Sequence, residues 1–123
     1  AMAIARENRD WETIVDRLYE EFGTLYWVHT INNAALVTAA LVHGNGDFER
    51  TICSAVMGGW DADCNGATAG SILGTMKGKG HLPAKWVGPL NNCLRSSVMG
   101  FDNAAFDQLA GRTCALHKKF STH

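Results

Sequence analysis

From Asp10 to Phe120 the apolar residues return every three or four positions, and no stretch alternates apolar with polar long enough to make a convincing strand. This spacing confines the chain to helical architectures. Trp11, Ile14, Val15, Leu18, Tyr19 and Phe22 fall on one helix face, and Glu12, Asp16, Arg17, Glu20 and Glu21 on the other. Asp10 is a natural N-cap for this helix and Gly23 a natural stop. A second helix is expected over about Asn33 to Val42, capped by Asn32 or Asn33 and ended by Gly44-Asn45-Gly46. It is apolar almost all round, which predicts burial. Asp47 caps a third helix carrying Phe48, Ile52, Ala55 and Val56, which ends at Gly58-Gly59. A fourth runs from about Asp63, its candidate cap, to Met76, and Gly78-Lys79-Gly80 reads as a loop. After Pro83 and Pro89, each suited to a first helical turn, a further helix is expected over Leu90 to Val98. The last helix, capped by Asp102 or Asn103, carries Phe106, Leu109, Ala110, Thr113, Leu116 and Phe120. The β-like Leu25-Tyr26-Trp27-Val28 is too short to set a class. The expectation is a compact all-α bundle of about five to six helices, in one domain over residues 1–123.

Composition removes several function classes. Eleven Lys and Arg against twelve Asp and Glu leave a net charge of −1, which offers nothing to neutralise nucleic-acid phosphates. The same balance argues against an electrostatic membrane binder, and no apolar run approaches the roughly 18 residues of a membrane span. An apolar fraction of 46% argues for a packed core and against disorder. Residues Ala1 to Glu7 lack a basic segment followed by an apolar core and are not expected to be a signal peptide; the residue ahead of Met2 reads as an expression remnant. Cys53, Cys64, Cys93 and Cys114 are widely spaced within helix-like apolar segments. They read as reduced thiols of a cytoplasmic protein rather than as zinc ligands or disulfides. Cys53, Cys93 and Cys114 are expected in the core. His43, His81, His117 and His123 show no ligand spacing and are expected on the surface. His29 is a candidate substrate contact, although residues at a helix start more often cap.

Gly66, Gly70 and Gly74 recur every four residues along one helical stripe. Each costs up to about 1 kcal/mol relative to alanine inside a helix, so the stripe calls for close approach by another helix or a ligand. Just ahead of it lies Gly58-Gly59-Trp60-Asp61-Ala62-Asp63-Cys64-Asn65. Two carboxylates two residues apart, in a tight turn entering a helix, can point into one small space. Such oxygen pairs suit a hard divalent cation such as Mg²⁺, Mn²⁺ or Ca²⁺. Spacing alone leaves a second and commoner reading, in which Asp63 caps the helix and Asp61 favours its positive end.

The wider pattern resembles the metal motif of the ADP-ribosylglycohydrolase family, which includes the dinitrogenase reductase-activating glycohydrolases. Asp61, Asp63, Cys64, Gly66, Ala67, Gly70 and Gly74 fall on that motif. Asn32-Asn33-Ala34-Ala35-Leu36, Gly46-Asp47-Phe48-Glu49-Arg50 and Ala55-Val56-Met57-Gly58-Gly59 resemble the segments before it, and Leu82 to Leu90 the segment after. The resemblance spans about residues 28–114. It implies the C-terminal part of an all-α glycohydrolase fold with a binuclear Mg²⁺ or Mn²⁺ centre, which cleaves the bond between ADP-ribose and a protein side chain or small molecule. Asp61 and Asp63 would be metal ligands, with Asp63 bridging both ions. Cys64 stands where many members have a Thr ligand, and a neutral thiol suits a hard ion poorly. Trp60 departs from the usual motif, and with Gly59 it is a candidate substrate contact, able to stack on adenine. Trp86 reads as a packing residue.

Other family ligands come from an adjacent Asp pair in an S-D-D-T-like motif, and this sequence has no Asp-Asp. Glu20-Glu21 is an adjacent acidic pair, but helix spacing puts it on a solvated face. The resemblance therefore implies a portion of a longer enzyme, inactive by itself, with the missing half or a second copy of the chain as partner. Two other readings stay open: a non-catalytic helical oligomerisation or partner-binding module that retains the D-x-D turn, and a stand-alone cation-binding protein.

Overall fold

A computed structural model describes residues 1–121; His123 and its expected surface position lie outside them. The chain forms two compact units, Ala1–Leu82 and a second from Pro83 onward.

The first unit is wholly helical: α1 (Met2–Glu7), α2 (Trp11–Phe22), α3 (Thr30–Gly44), α4 (Phe48–Met57) and α5 (Ala62–Lys77), followed by a 3₁₀ turn over Lys79–His81. Two of the predicted aspartate caps form. Asp10 Oδ2 accepts from the Thr13 backbone N–H at 2.8 Å, and Asp47 Oδ1 from that of Arg50 at 2.7 Å. α3 begins three residues before the expected Asn33, because His29 caps it: His29 Nδ1 accepts from the Ile31 N–H at 3.2 Å. Asn32 and Asn33 are thereby released from capping and sit inside the helix.

α3 is the central element, as its all-round apolarity predicts. On one side Ala35, Leu36 and Ala39 join Ala5 of α1 and Ile14 and Leu18 of α2 in one buried cluster. Ile14, Leu18 and Leu36 are fully buried, each stabilising the fold by about 1.5–3 kcal/mol. On the other side Ala40 meets Ala55 of α4 and Ala69 of α5. Small side chains at that junction let three helices approach closely, and this brings the start of α5 beside the start of α3.

The glycine stripe is only partly a contact surface. A Cβ on Gly66 would lie 2.7 Å from Val56 Cγ2 on α4, so close approach is real there. At Gly70 the nearest atom, Ile52 Cδ1, would be at 3.5 Å, an ordinary contact. Gly74 has nothing within 4 Å, so the expected stripe of close contact fades along the helix.

The second unit contains α6 (Ala84–Val87), a 3₁₀ turn over Gly88–Leu90, β1 (Cys93–Leu94), β2 (Ala104–Ala105) and α7 (Phe106–Phe120). The helix expected over Leu90 to Val98 does not form. Asn91 and Asn92 both take left-handed conformations, with φ of 49° and 54°, which stop a right-handed helix. Cys93 and Leu94 instead pair antiparallel with Ala105 and Ala104. Asp102 and Asn103 do not cap α7, which starts after Ala105. The Asp102 carboxylate is taken by the turn before it, accepting from Arg95 Nε and the Ser96 N–H, both at 3.1 Å. Those bonds hold it below the usual carboxylate range, the Ser96 amide first. Cys53 and Cys93 are half-buried, whereas Cys114 is exposed on α7 and not in a core. All four cysteines are free thiols. No helix among the described residues is long and apolar enough to cross a membrane.

Candidate metal centre

The turn between α4 and α5 is built by an uncommon backbone. Gly59 and Trp60 have φ of 83° and 50°, two left-handed residues in succession. For Gly59 this is free of steric cost; for Trp60 it is strained, and surrounding contacts must hold it. They do. The Trp60 ring stacks on Tyr19 of α2, with centroids 4.4 Å apart and planes 14° from parallel. The Tyr19 hydroxyl donates to the Gly58 carbonyl at 3.2 Å.

The turn delivers Asp61 to the N-cap position of α5 and Asp63 to its first turn. Asp63 is therefore not the cap, and the Asp61 side chain makes no capping hydrogen bond either. Asp61, Asp63 and Cys64 each present one donor atom within 4.8 Å of the others. Asp61 is half-buried, and Asp63 and Cys64 are exposed. The Asp61 carboxylate beside the Cys64 thiol pushes that thiol above its usual range, by accepting its hydrogen bond and by its charge. The positive end of α5 partly offsets the repulsion between two carboxylates gathered there. Among the described residues, no second group of three or more His, Cys, Asp or Glu gathers in this way.

Sequence reasoning missed what fixes the turn. Asn33 Oδ1 accepts from the Asp61 backbone N–H at 3.1 Å and from Asn65 Nδ2 at 2.7 Å. Its Nδ2 donates to the carbonyls of Trp27 at 2.8 Å and His29 at 2.9 Å. Asn65 is buried and also reaches the Gly59 carbonyl at 3.4 Å. Asn32 is wholly buried and bonds the Tyr26 carbonyl at 3.3 Å. The available signal was the polar Asn32-Asn33 pair opening an otherwise apolar helix, read above as capping.

A cavity of about 460 Å³ runs between α3 and α5 beside the acidic cluster. Asn33, Asp61, Cys64 and Asn65 line one part, and Val37 and Leu41 an apolar part. His29 stays at the start of α3 as its cap. His43 is half-buried with its ring 5.2 Å from that of Trp11, and is not a simple surface group. His81 and His117 are exposed as expected.

The donor set fits a hard divalent cation through its carboxylate oxygens, which helix capping leaves uncommitted. It fits poorly through Cys64, because a thiol is a soft donor and a poor ligand for a hard ion. Three groups are also too few to enclose two such ions.

The sequence model of the family described as ADP-ribosylglycohydrolase matches residues 1–121. That is wider than the 28–114 over which the motifs alone carry the resemblance, and it takes in α1 and α2. No curated protein and no solved structure matches the chain.

Proposed function

This chain belongs to the ADP-ribosylglycohydrolase family, and from that membership we propose that Asp61 and Asp63 supply part of a divalent-metal centre for hydrolysing an ADP-ribosyl glycosidic bond. The observation that supports it is the convergence of Asp61, Asp63 and Cys64 within 4.8 Å at a helix start where neither carboxylate serves as a cap.

In this reading Asp61 and Asp63 offer their oxygens to Mg²⁺ or Mn²⁺. When bound, such ions hold the ribose hydroxyls and a water in place and act as Lewis acids. Cys64 contributes at most through an intervening water. Gly59 and Trp60, next to Asp61 in the chain, are the candidate substrate contacts, although the Trp60 ring is already stacked on Tyr19 and packed on the core and neither residue lines the cavity. The substrate is an ADP-ribosylated protein or small molecule. Because three donor groups do not hold two hard cations against water, the chain alone is expected to give no turnover, the rest of the centre coming from another segment or chain.

Titration of Mn²⁺ into the protein by calorimetry, with parent, Asp61→Asn and Asp63→Asn side by side, tests this. The parent should bind, and each variant should bind more weakly, because each has lost an ionised ligand. Equal binding by all three would remove the metal role. Release of free ADP-ribose from a modified protein by the chain alone, above a double Asp61→Asn, Asp63→Asn control, would show that the centre is complete.

A further inference from the structure

Asp61 can serve a metal only if its backbone holds still, and its own helix does not hold it. The N–H of an N-cap residue has no partner inside the helix, and the Gly59–Trp60 turn before it is left-handed at both positions. The Asp61 N–H goes instead to a side chain on another helix, Asn33 of α3, at 3.1 Å. The same oxygen takes the Asn65 side chain at 2.7 Å, one turn into α5. Both ends of the segment that carries Asp61, Asp63 and Cys64 are therefore pinned to one atom. Asn33 is itself oriented by its two donated bonds, to Trp27 and His29. These four bonds use the amide's oxygen twice and its nitrogen twice, which fixes which end faces the metal turn.

We infer that Asn33 is the positioning residue of the metal centre: it sets the place of Asp61 without touching the ion, and it ties that place to the loop carrying Trp27. The inference rests on the metal reading above. A leucine or alanine at 33 would leave the Asp61 N–H without its partner, and aspartate would set a carboxylate oxygen against the Trp27 and His29 carbonyls in place of the two donated bonds that orient the side chain. Partners that orient a ligand in this way typically change metal affinity by about 10–100-fold when removed.

The test compares parent, Asn33→Ala, Asn33→Asp and Val42→Ala, the last a core truncation at the far end of α3. Three quantities are read: Mn²⁺ affinity by calorimetry, hydrogen exchange of the Asp61 amide by NMR without metal, and thermal midpoint. Asn33→Ala should bind Mn²⁺ about 10–100-fold more weakly and exchange the Asp61 amide faster. Val42→Ala should lower the midpoint and change neither affinity nor Asp61 exchange. Asn33→Asp should lose the orientation that the two donated bonds supply and exchange the Asp61 amide faster than the parent. Asn33→Ala matching the parent in affinity and exchange would overturn the inference, as would an Asp61 amide as well protected in Asn33→Asp as in the parent. Should Asn33→Ala not fold, the aspartate variant decides by the same exchange measurement. A parent that binds no Mn²⁺ would instead remove the metal reading, a result separable from either of these.

Discussion

Tyr19 on α2 and Trp60 in the α4–α5 turn lie face to face, 4.4 Å between ring centroids, and the same tyrosine donates its hydroxyl to the Gly58 carbonyl. One side chain of the outer helix thus holds both the backbone and the ring of the turn that presents Asp61. Tyr19→Phe removes only the hydrogen bond and should cost about 0.5–1.5 kcal/mol. Tyr19→Ala also removes the stacked pair, worth about 0.5–1.5 kcal/mol beyond its buried area, and should cost more. Urea unfolding of the two variants separates the contributions; equal stabilities would mean the stacking contributes nothing.

Gly66 and Gly74 share a helix stripe but meet different surroundings, so the same substitution should act oppositely. Gly66→Ala forces a Cβ to 2.7 Å from Val56 Cγ2, and overpacking of this kind typically costs about 1–3 kcal/mol. That outweighs the gain in helix propensity of up to about 1 kcal/mol. Gly74→Ala meets nothing within 4 Å and should stabilise by about 0.4–1 kcal/mol. Adding Val56→Ala to Gly66→Ala should recover part of the loss in a double-mutant cycle. A Gly66→Ala variant more stable than the parent would contradict the packing of α4 on α5.

Asp63→Ala should leave folding almost untouched while it weakens Mn²⁺ binding. The structure takes the capping role away from Asp63, so the stability lost is limited to its interaction with the helix dipole, about 0.3–1 kcal/mol. Thermal unfolding in metal-free buffer provides the check. A larger loss there would restore Asp63 as a structural cap.

Asp10 gives the acid limb of stability a residue-specific component. Its carboxyl is held below the ordinary 3.8 by the Thr13 backbone amide and then by the Thr13 hydroxyl. A group whose folded pKa is depressed favours folding above its unfolded value and loses that contribution as pH falls through the folded one. Asp10→Asn keeps an acceptor for the cap but cannot titrate. Its stability should therefore be flatter than the parent's below about pH 4, and Asp10→Ala should be less stable than either near neutrality. Denaturant midpoints from pH 2 to 7 read both effects. An unchanged acid limb in Asp10→Asn would exclude Asp10 as a source of it.

The helical plan of the first unit was legible because its signals are local: apolar spacing in α2 and α3, and aspartates at 10 and 47 poised to bond amides three residues on. Asp61, Asp63 and Cys64 were legible as a cluster for the same reason, since three neighbours at a helix start cannot separate far. What escaped depends on distant partners. Asn33 looks like a cap until His29 is seen to occupy that role, and only the packing of α3 on α5 brings Asn33 to the Asp61 amide. Asp63 was expected to cap because a helix start tolerates several frames, and the Gly59–Trp60 turn chose a frame with Asp61 at that position. In the second unit, helix-like apolar spacing over Leu90 to Val98 is overridden by Asn91 and Asn92, whose side chains tolerate the left-handed region better than most.

The consecutive left-handed conformations of Gly59 and Trp60 bear on whether this turn can be transplanted. A tryptophan at φ 50° is not where an isolated peptide would rest, and it persists because a tyrosine on one helix and an asparagine on another restrain the turn from opposite ends. The peptide Gly58–Asn65 moved into another helical scaffold would carry its carboxylates along but leave those restraints behind, and it would relax toward an ordinary helix entry with its oxygens dispersed. Any protein engineered to borrow this centre needs Tyr19 and Asn33 on two flanking helices at the same separation. The portable unit is therefore a three-helix frame, of which the acidic sequence is only the visible edge.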